Sequence, residues 1–292
     1  MTDTTDPPAE AQSKRFAGVV QELATLLGPL GVLTGILYYF GYASAKAYYT
    51  YFGISLSVLD LSTTDYLLRA DTFFRPLTSA VLLALGLFGV HHLLRRFLGG
   101  SRPRRARVAA SAFAATAVVL GAMALAGLYG RPSGLASPIS LGLAALAVEY
   151  AIWAMDQHGA PTPALRATLR AVIGLRRGLV VAIVSIATFW AVTNIAHARG
   201  STAAQLVELS LSLQPQAVVY SVRDLHLPGP GVGVTPLAGG DGDYRFRYNG
   251  LRPLRYANDR WFLVPVGWRH DNGATVIVLQ DDPDKIRVDL AP

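Results

Sequence analysis

Long apolar runs alternate with short polar stretches over the first two thirds of the chain. A helix needs roughly 20 apolar residues to cross a bilayer. Five runs come close to that length, and they cover residues 23–42, 76–94, 108–129, 138–155 and 178–197. Five helices without polar faces could not share one soluble core. The pattern therefore predicts an α-helical membrane bundle of about five transmembrane helices within residues 16–198.

The period of the pattern changes to two after residue 215. Short alternating runs separated by turn residues are typical of antiparallel strands. Asn249-Gly250 and Asn258-Asp259 are typical hairpin turns, because these residue types accept the positive φ that such turns need. Residues 216–292 are therefore predicted to form a small antiparallel all-β C-terminal domain, as a barrel or a sandwich.

Three further segments lie outside these regions. Residues 1–15 are polar and aperiodic, which predicts a disordered cytoplasmic tail. Residues 43–75 form a long outer loop rich in tyrosine. Residues 199–215 begin with Gly-Ser and then turn amphipathic, which predicts a connector with a short helix at the membrane surface.

The outer loop contains the first candidate residues. Tyr48 and Tyr49 follow the first run, where tyrosine suits the membrane interface; they could also line a pore mouth or dock the C-terminal domain. Ser62 and Asp65 have capping-box spacing, which predicts a helix over residues 63–74. Asp65 and Arg69 stand at i, i+4, where they can form a surface ion pair.

The distribution of charge along the chain predicts its orientation in the membrane. Only 15% of residues are charged, against roughly 25% in a soluble domain, and the net charge is +7. Residues 216–292 are net neutral, so the excess belongs to residues 1–215. Arginines in the loops after the second and fourth runs predict a bacterial cytoplasmic membrane protein with its N-terminus inside and its C-terminus outside. These arginines are Arg95, Arg96, Arg102, Arg104, Arg105, Arg107, Arg176 and Arg177.

The positions of these arginines also indicate which partners are expected. Arginines at the ends of membrane helices are expected to contact anionic lipid head groups. Nucleic acid is not expected as a partner, because the basic run of residues 95–107 lies between two spans and the outer domain is neutral. A protein partner or a homo-oligomer is compatible with this topology.

Glu149 is the one candidate for intramembrane chemistry. A carboxylate inside a span is costly and marks a functional site by default; alternatively a neighbouring helix or interfacial water satisfies it. The chain has no cysteine, which excludes disulfides, thiolate metal sites and a cysteine nucleophile. It also lacks G-x-S-x-G, HExxH and P-loop motifs, and glycine-rich residues 229–243 lie between strands. We therefore predict no cofactor, no metal site and no catalytic residues.

Residues 38–76 and 244–268 resemble a group of uncharacterised actinobacterial multi-pass membrane proteins. This resemblance implies no reaction, ligand or site. The predicted function is a membrane protein whose outer β domain binds or senses a partner or an envelope component. One alternative is an oligomeric channel or transporter that uses Glu149 and the small-residue faces of the third and fourth runs. Another is a non-catalytic subunit of a membrane complex.

Overall fold

The computed structural model describes residues 31, 33–69, 74–98, 103–130, 134–158, 173–238 and 244–292. The chain divides into two compact units. The first unit comprises Met1–Asp71 together with Glu208–Pro292, and the second unit comprises Thr72–Val207. The structure thus groups the outer loop with the C-terminal sheet, whereas the sequence analysis places that loop with the spans.

Four long helices make up most of the described part of the second unit. They are α4 (Phe74–Leu98), α5 (Pro103–Leu128), α6 (Ala136–His158) and α7 (Ile173–Leu209). Within the described residues, three stretches are long and apolar enough to cross a membrane, and they are Arg107–Leu128, Ala136–Met155 and Ile173–Leu209. They correspond to the third, fourth and fifth predicted runs. The second run lies in α4, and the first lies partly outside the described residues.

Small side chains line the contact between α5 and α6, which pack against each other. Helix α5 buries Ala110, Ala117 and Ala124, which recur every seven residues. Helix α6 buries a stripe of similarly small residues at spacings of three and four, namely Ser137, Ser140, Ala144, Ala147, Ala151 and Ala154. Small residues let two helix backbones approach closely, which is how helices associate in lipid.

Large apolar side chains cover the rest of these helices and are exposed. Val118 of α5 is 72% exposed and Val181 of α7 is 66% exposed. A soluble protein rarely presents apolar faces of this length to water. The exposed faces therefore support membrane insertion of the three apolar helices.

Helix α7 is longer than the fifth predicted run, because it continues through Gly200 to Leu209. The Gly-Ser pair at residues 200–201 predicted the end of the fifth span and a separate short helix after it. In the structure Ala196, Gly200 and Ala204 are buried at intervals of four residues. Packing along this stripe outweighs the low helix propensity of the single glycine.

The helical part of the first unit begins with α1, which covers residues 33–51 and includes the tyrosine-rich stretch. Two short helices follow, α2 (Leu56–Leu59) and α3 (Thr63–Leu68). The predicted capping box is confirmed: the Ser62 side chain accepts from the Asp65 backbone N–H, and the Asp65 side chain accepts from the Ser62 backbone N–H. Helix α3 ends before the predicted residue 74, with Arg69 as its C-cap.

The C-terminal part of the first unit is a six-stranded antiparallel sheet. The strand order is β5-β4-β3-β1-β6, and β2 also pairs with β3. Within the described residues the strands form one sheet, whereas the sequence analysis predicted a barrel or a sandwich. The strands are β1 (Gln216–Ser221), β2 (Gly233–Pro236), β3 (Phe246–Ala257), β4 (Arg260–Pro265), β5 (Ile277–Gln280) and β6 (Ile286–Ala291).

One predicted turn is confirmed and another is wrong. Asn258 and Asp259 both have positive φ, 57° and 51°, and join β3 to β4 as a two-residue hairpin. Asn249-Gly250 does not form a hairpin, because β3 runs straight through it. The pairing of β1 with β3 shifts by one residue here, and Gly250 has φ +81°, which together describe a β-bulge.

The alternation of strand β3 places its aromatic residues in the core. Tyr248 is buried, and Phe246 packs against the same cluster. The buried members of this cluster are Ala217, Val219, Tyr248, Leu251, Leu263, Ile277 and Leu279. Arg245 and Arg247 are exposed, as the period-two pattern predicts.

Candidate functional site

An aromatic contact joins the end of α1 to the loop that follows β4. The Phe52 and Trp268 rings have centroids 4.9 Å apart, and both residues are 4% exposed. The Trp268 indole N–H donates to the carbonyl oxygen of Ala274 at 2.8 Å, which satisfies its polar atom. The two rings therefore form a desolvated contact between parts of the chain that are more than 200 residues apart.

The same loop makes polar contacts with two helix ends. The His270 ring stacks on Tyr51 with centroids 4.4 Å apart, and its Nδ1 donates to the Tyr51 carbonyl oxygen at 3.0 Å. The backbone N–H of His270 donates to Glu208 Oε1 at 3.3 Å, and Glu208 lies in the last turn of α7. We call the set Tyr51, Glu208 and His270 the clasp.

The Tyr51 hydroxyl closes the clasp by donating a short hydrogen bond to Glu208 Oε2. This hydrogen bond raises the pKa of Tyr51 to about 12, with burial and the negative charges of Glu208 and Asp271 acting in the same direction. Tyr51 thus stays neutral and keeps its donor proton at any physiological pH.

A second polar contact links α3 to the sheet. Asp65 Oδ1 accepts a hydrogen bond from Arg255 of β3 at 2.7 Å, while Asp65 Oδ2 accepts from Ser62. Hydrogen bonds from Ser62 and from Arg255 hold the pKa of Asp65 below its ordinary value. The predicted pair of Asp65 with Arg69 is replaced by this longer-range ion pair.

Arg69 instead contacts the two tyrosines that the sequence analysis singled out. Its guanidinium donates to the Tyr49 hydroxyl at 2.8 Å. It also lies 5.3 Å from the Tyr48 ring centroid and 4.9 Å from that of Tyr49, which are cation–π distances. Burial raises the pKa of Tyr48 to about 12, assisted by the neighbouring Tyr49. Three of the four outer-loop candidates, Tyr48, Tyr49 and Arg69, therefore pack against one another, whereas Asp65 pairs with the sheet.

Replacing Asp65 by asparagine is expected to flatten the acid dependence of stability of the first unit. The pKa of Asp65 is lowered in the folded chain, so its ionised form stabilises folding above the unfolded pKa of about 3.9, and this contribution is lost as pH falls below that value. Both partners are about a third exposed, so the contribution is at most about 1 kcal/mol. Unfolding midpoints measured from pH 7 to pH 3 test this.

Asp284→Asn is the matched control, because Asp284 is an exposed aspartate of the same unit. We expect this variant to keep the acid dependence of the wild type. A wild-type slope in Asp65→Asn would show that the ion pair with Arg255 does not contribute to stability.

Glu149 in the second unit is held by an arginine. Arg176 of α7 approaches both carboxylate oxygens of Glu149, with Nε 2.8 Å from Oε2 and one terminal nitrogen 3.0 Å from Oε1. The two side chains are 25% and 15% exposed for Glu149 and Arg176. On the next residue, the Tyr150 hydroxyl forms a short hydrogen bond with His91 of α4. The geometry favours the interpretation in which a neighbouring helix compensates the charge of Glu149, with Oε1 as the oxygen that accepts a hydrogen bond from Arg176.

Replacing Glu149 by glutamine is expected to destabilise the second unit by about 2 kcal/mol, because it leaves a largely buried guanidinium without its counter-charge. The double variant Glu149→Leu/Arg176→Leu removes both charges and should recover most of that loss. Thermal unfolding of the detergent-solubilised protein measures both. A double variant that is less stable than Glu149→Gln would contradict this prediction. It would show that the ion pair stabilises the second unit beyond avoiding an unpaired charge.

The remaining arginine candidates lie at helix ends. Arg96, Arg104, Arg105, Arg107 and Arg177 are exposed. Arg102 and the side chain of Arg95 lie outside the described residues. Arg176 is the one candidate of this group, within the described residues, that has an ion-pair partner. Its position in α7 therefore serves helix packing as well as charge.

Besides Tyr51 and Phe52 of the tyrosine-rich stretch, four residues of the site were not singled out from the sequence: Glu208, Arg255, Trp268 and His270. Glu208 did carry a signal, because it is the one acidic residue between Asp156 and Asp224. The other three lie on strands or turns of ordinary composition. Their contacts join positions far apart in sequence, which periodicity does not report.

Comparison with known proteins gives no match to any family model, to any curated protein or to any solved structure. The resemblance to actinobacterial membrane proteins therefore stays a prediction.

Proposed function

We propose that this chain is a multi-pass protein of the bacterial cytoplasmic membrane whose C-terminal β domain lies outside the cytoplasm and binds or senses a partner or an envelope component. The observation that carries the proposal is the clasp. A single loop of the sheet, through His270, contacts the end of α1 at Tyr51 and the last turn of α7 at Glu208. A ligand that moves this loop changes the contacts of both helix ends.

The membrane part of the proposal is supported by the three apolar helices and by the placement of charge. Exposed Arg104, Arg105 and Arg107 lie at the start of α5, beside the apolar stretch Arg107–Leu128. Basic residues at such a boundary favour the cytoplasmic side. Together with five spans, this distribution of charge supports an N-terminus inside and a sheet outside.

The channel or transporter alternative receives less support. It depends on Glu149 as an ionisable group that a proton or cation can reach. Arg176 neutralises that carboxylate, through one hydrogen bond to Oε1 and an ion-pair contact of 2.8 Å at Oε2. The subunit alternative shares a prediction with our proposal, since both require a stable partner, and the experiment below distinguishes them by where the partner binds.

Cross-linking on intact cells tests the proposal. The chain has three lysines, Lys14, Lys46 and Lys285, and Lys285 in the β domain is 72% exposed at its side chain. Intact cells are treated with a membrane-impermeant amine cross-linker, and the full-length protein is then purified with its native lipids. We expect a stoichiometric component to be linked to Lys285. Mass spectrometry of the linked peptides identifies the site.

The outcomes separate the three functions. A stoichiometric component linked at Lys285 supports binding by the β domain. A stoichiometric component that is never linked at Lys285 favours a membrane-complex subunit. A protein that purifies alone and conducts ions in liposomes, with loss of flux in Glu149→Gln, overturns the proposal in favour of transport.

A further inference from the structure

Three exposed arginines open helix α5, and we call Arg104, Arg105 and Arg107 the α5 arginine cluster. No acidic residue occurs in the sequence from residue 72 to residue 148. Within the described residues no carboxylate pairs with any member of the cluster. The positive charge of the cluster is therefore not compensated by any carboxylate of the described residues.

An exposed apolar face continues from the cluster along the same helix. Positions 104, 108, 111, 115, 118, 122 and 125 are spaced by three or four residues and lie on one face of α5. All seven are exposed, and the large apolar ones are Val108 at 62%, Val118 at 72% and Leu125 at 55%. The face opposite is the one that packs, through Ala110, Ala117 and Ala124.

We propose that the α5 arginine cluster binds the phosphate of an anionic phospholipid whose acyl chain lies along this exposed face. Arg104 and Arg107, at i and i+3, are neighbours on the helix surface and can contact one head group together. Guanidinium groups form bidentate hydrogen bonds with phosphate oxygens. The inference does not depend on the function proposed for the β domain, because it concerns the second unit.

A phospholipid fits this surface better than a nucleic acid does. The cluster borders the apolar stretch Arg107–Leu128, so insertion of that stretch places the guanidinium groups at the level of the lipid head groups. A nucleic acid would contact the arginines and leave the adjoining apolar face unused. Positive charge lies beside an exposed apolar face here, which matches the anionic head group and the apolar acyl chains of a phospholipid.

The test measures lipid retained by the full-length protein. The purified chain is reconstituted in vesicles of phosphatidylglycerol and phosphatidylcholine in equal amounts, extracted in a mild detergent and analysed by native mass spectrometry. We expect the wild type to retain phosphatidylglycerol preferentially, and Arg104→Gln/Arg107→Gln to lose that preference by at least about tenfold.

The matched control is Arg247→Gln/Arg260→Gln, which removes two exposed arginines from the sheet. It should retain the lipid as the wild type does, and both double variants should elute and unfold as the wild type does. The proposal is overturned by unchanged retention in Arg104→Gln/Arg107→Gln, by an equal loss in the control, or by equal retention of phosphatidylcholine. Nucleic acid that co-purifies with the wild type and is lost in Arg104→Gln/Arg107→Gln would also overturn it.

Discussion

Replacing Gly41 by alanine is expected to destabilise the first unit by about 3 kcal/mol or more. A Cβ at this position of α1 would lie 1.9 Å from the backbone oxygen of Tyr66 and 2.7 Å from its carbonyl carbon. Both atoms belong to the backbone of α3, so no side-chain rotation relieves the overlap. The rings of Tyr38 and Tyr42 flank Tyr66 at centroid distances of 5.3 and 5.7 Å, which leaves α3 little room to move.

The matched control is Gly35→Ala on the same helix. A Cβ at residue 35 meets nothing within 4 Å, so this variant should unfold as the wild type does or slightly later. Thermal unfolding in detergent, followed by fluorescence-detected size exclusion, compares the two. Equal midpoints for Gly41→Ala and Gly35→Ala would contradict the close approach of α1 and α3.

Replacing Trp268 by alanine is expected to destabilise the first unit by about 4 kcal/mol, because a fully packed tryptophan leaves a large cavity. The lost contacts include the Phe52 ring at 4.9 Å, the Tyr51 ring at 6.1 Å and the hydrogen bond to Ala274. Hydrogen exchange should rise in two places together, at residues 45–69 and in the loop after β4.

The graded control for this contact is Trp268→Phe. Phenylalanine removes the indole N–H that donates to Ala274. Because it keeps an aromatic ring against Phe52, its destabilising effect should be less than half that of alanine. An increase in exchange confined to residues 266–279, with residues 45–69 unchanged, would show that the outer loop does not depend on the sheet.

Local sequence signals predicted local structure well. The capping box of Ser62 and Asp65 involves residues three apart, and the hairpin at Asn258-Asp259 involves adjacent residues. Both depend on backbone preferences that a few side chains determine. The general class, apolar helices followed by an antiparallel sheet, follows from periodicity for the same reason.

Long-range contacts decided the features that the sequence analysis missed. Asn249-Gly250 has hairpin composition, yet the glycine serves a bulge, where a Cβ would lie 1.9 Å from the Gly231 carbonyl oxygen. Asp65 has Arg69 four residues away, yet it pairs with Arg255, 190 residues along the chain. In each case a tertiary partner outcompetes the local one, and a single sequence contains no signal for that partner.

Glu149 could be identified from the sequence, but its partner could not. Glu149 was identifiable because a carboxylate in an apolar run is conspicuous. Its partner was not, since Arg176 belonged to a group of arginines that all suited a cytoplasmic loop. Only the packing of α6 and α7 distinguishes Arg176 from the exposed Arg177 beside it.

The central claim is that the β domain lies outside the cytoplasm, and the absence of cysteine allows a direct measurement. Single cysteines are placed at two exposed positions, Pro292→Cys in the sheet unit and Arg96→Cys at the end of α4. Intact cells are then treated with a membrane-impermeant maleimide. We predict that Pro292→Cys is labelled at once and Arg96→Cys only after permeabilisation. Labelling of Arg96→Cys in intact cells, with Pro292→Cys protected, would contradict the account.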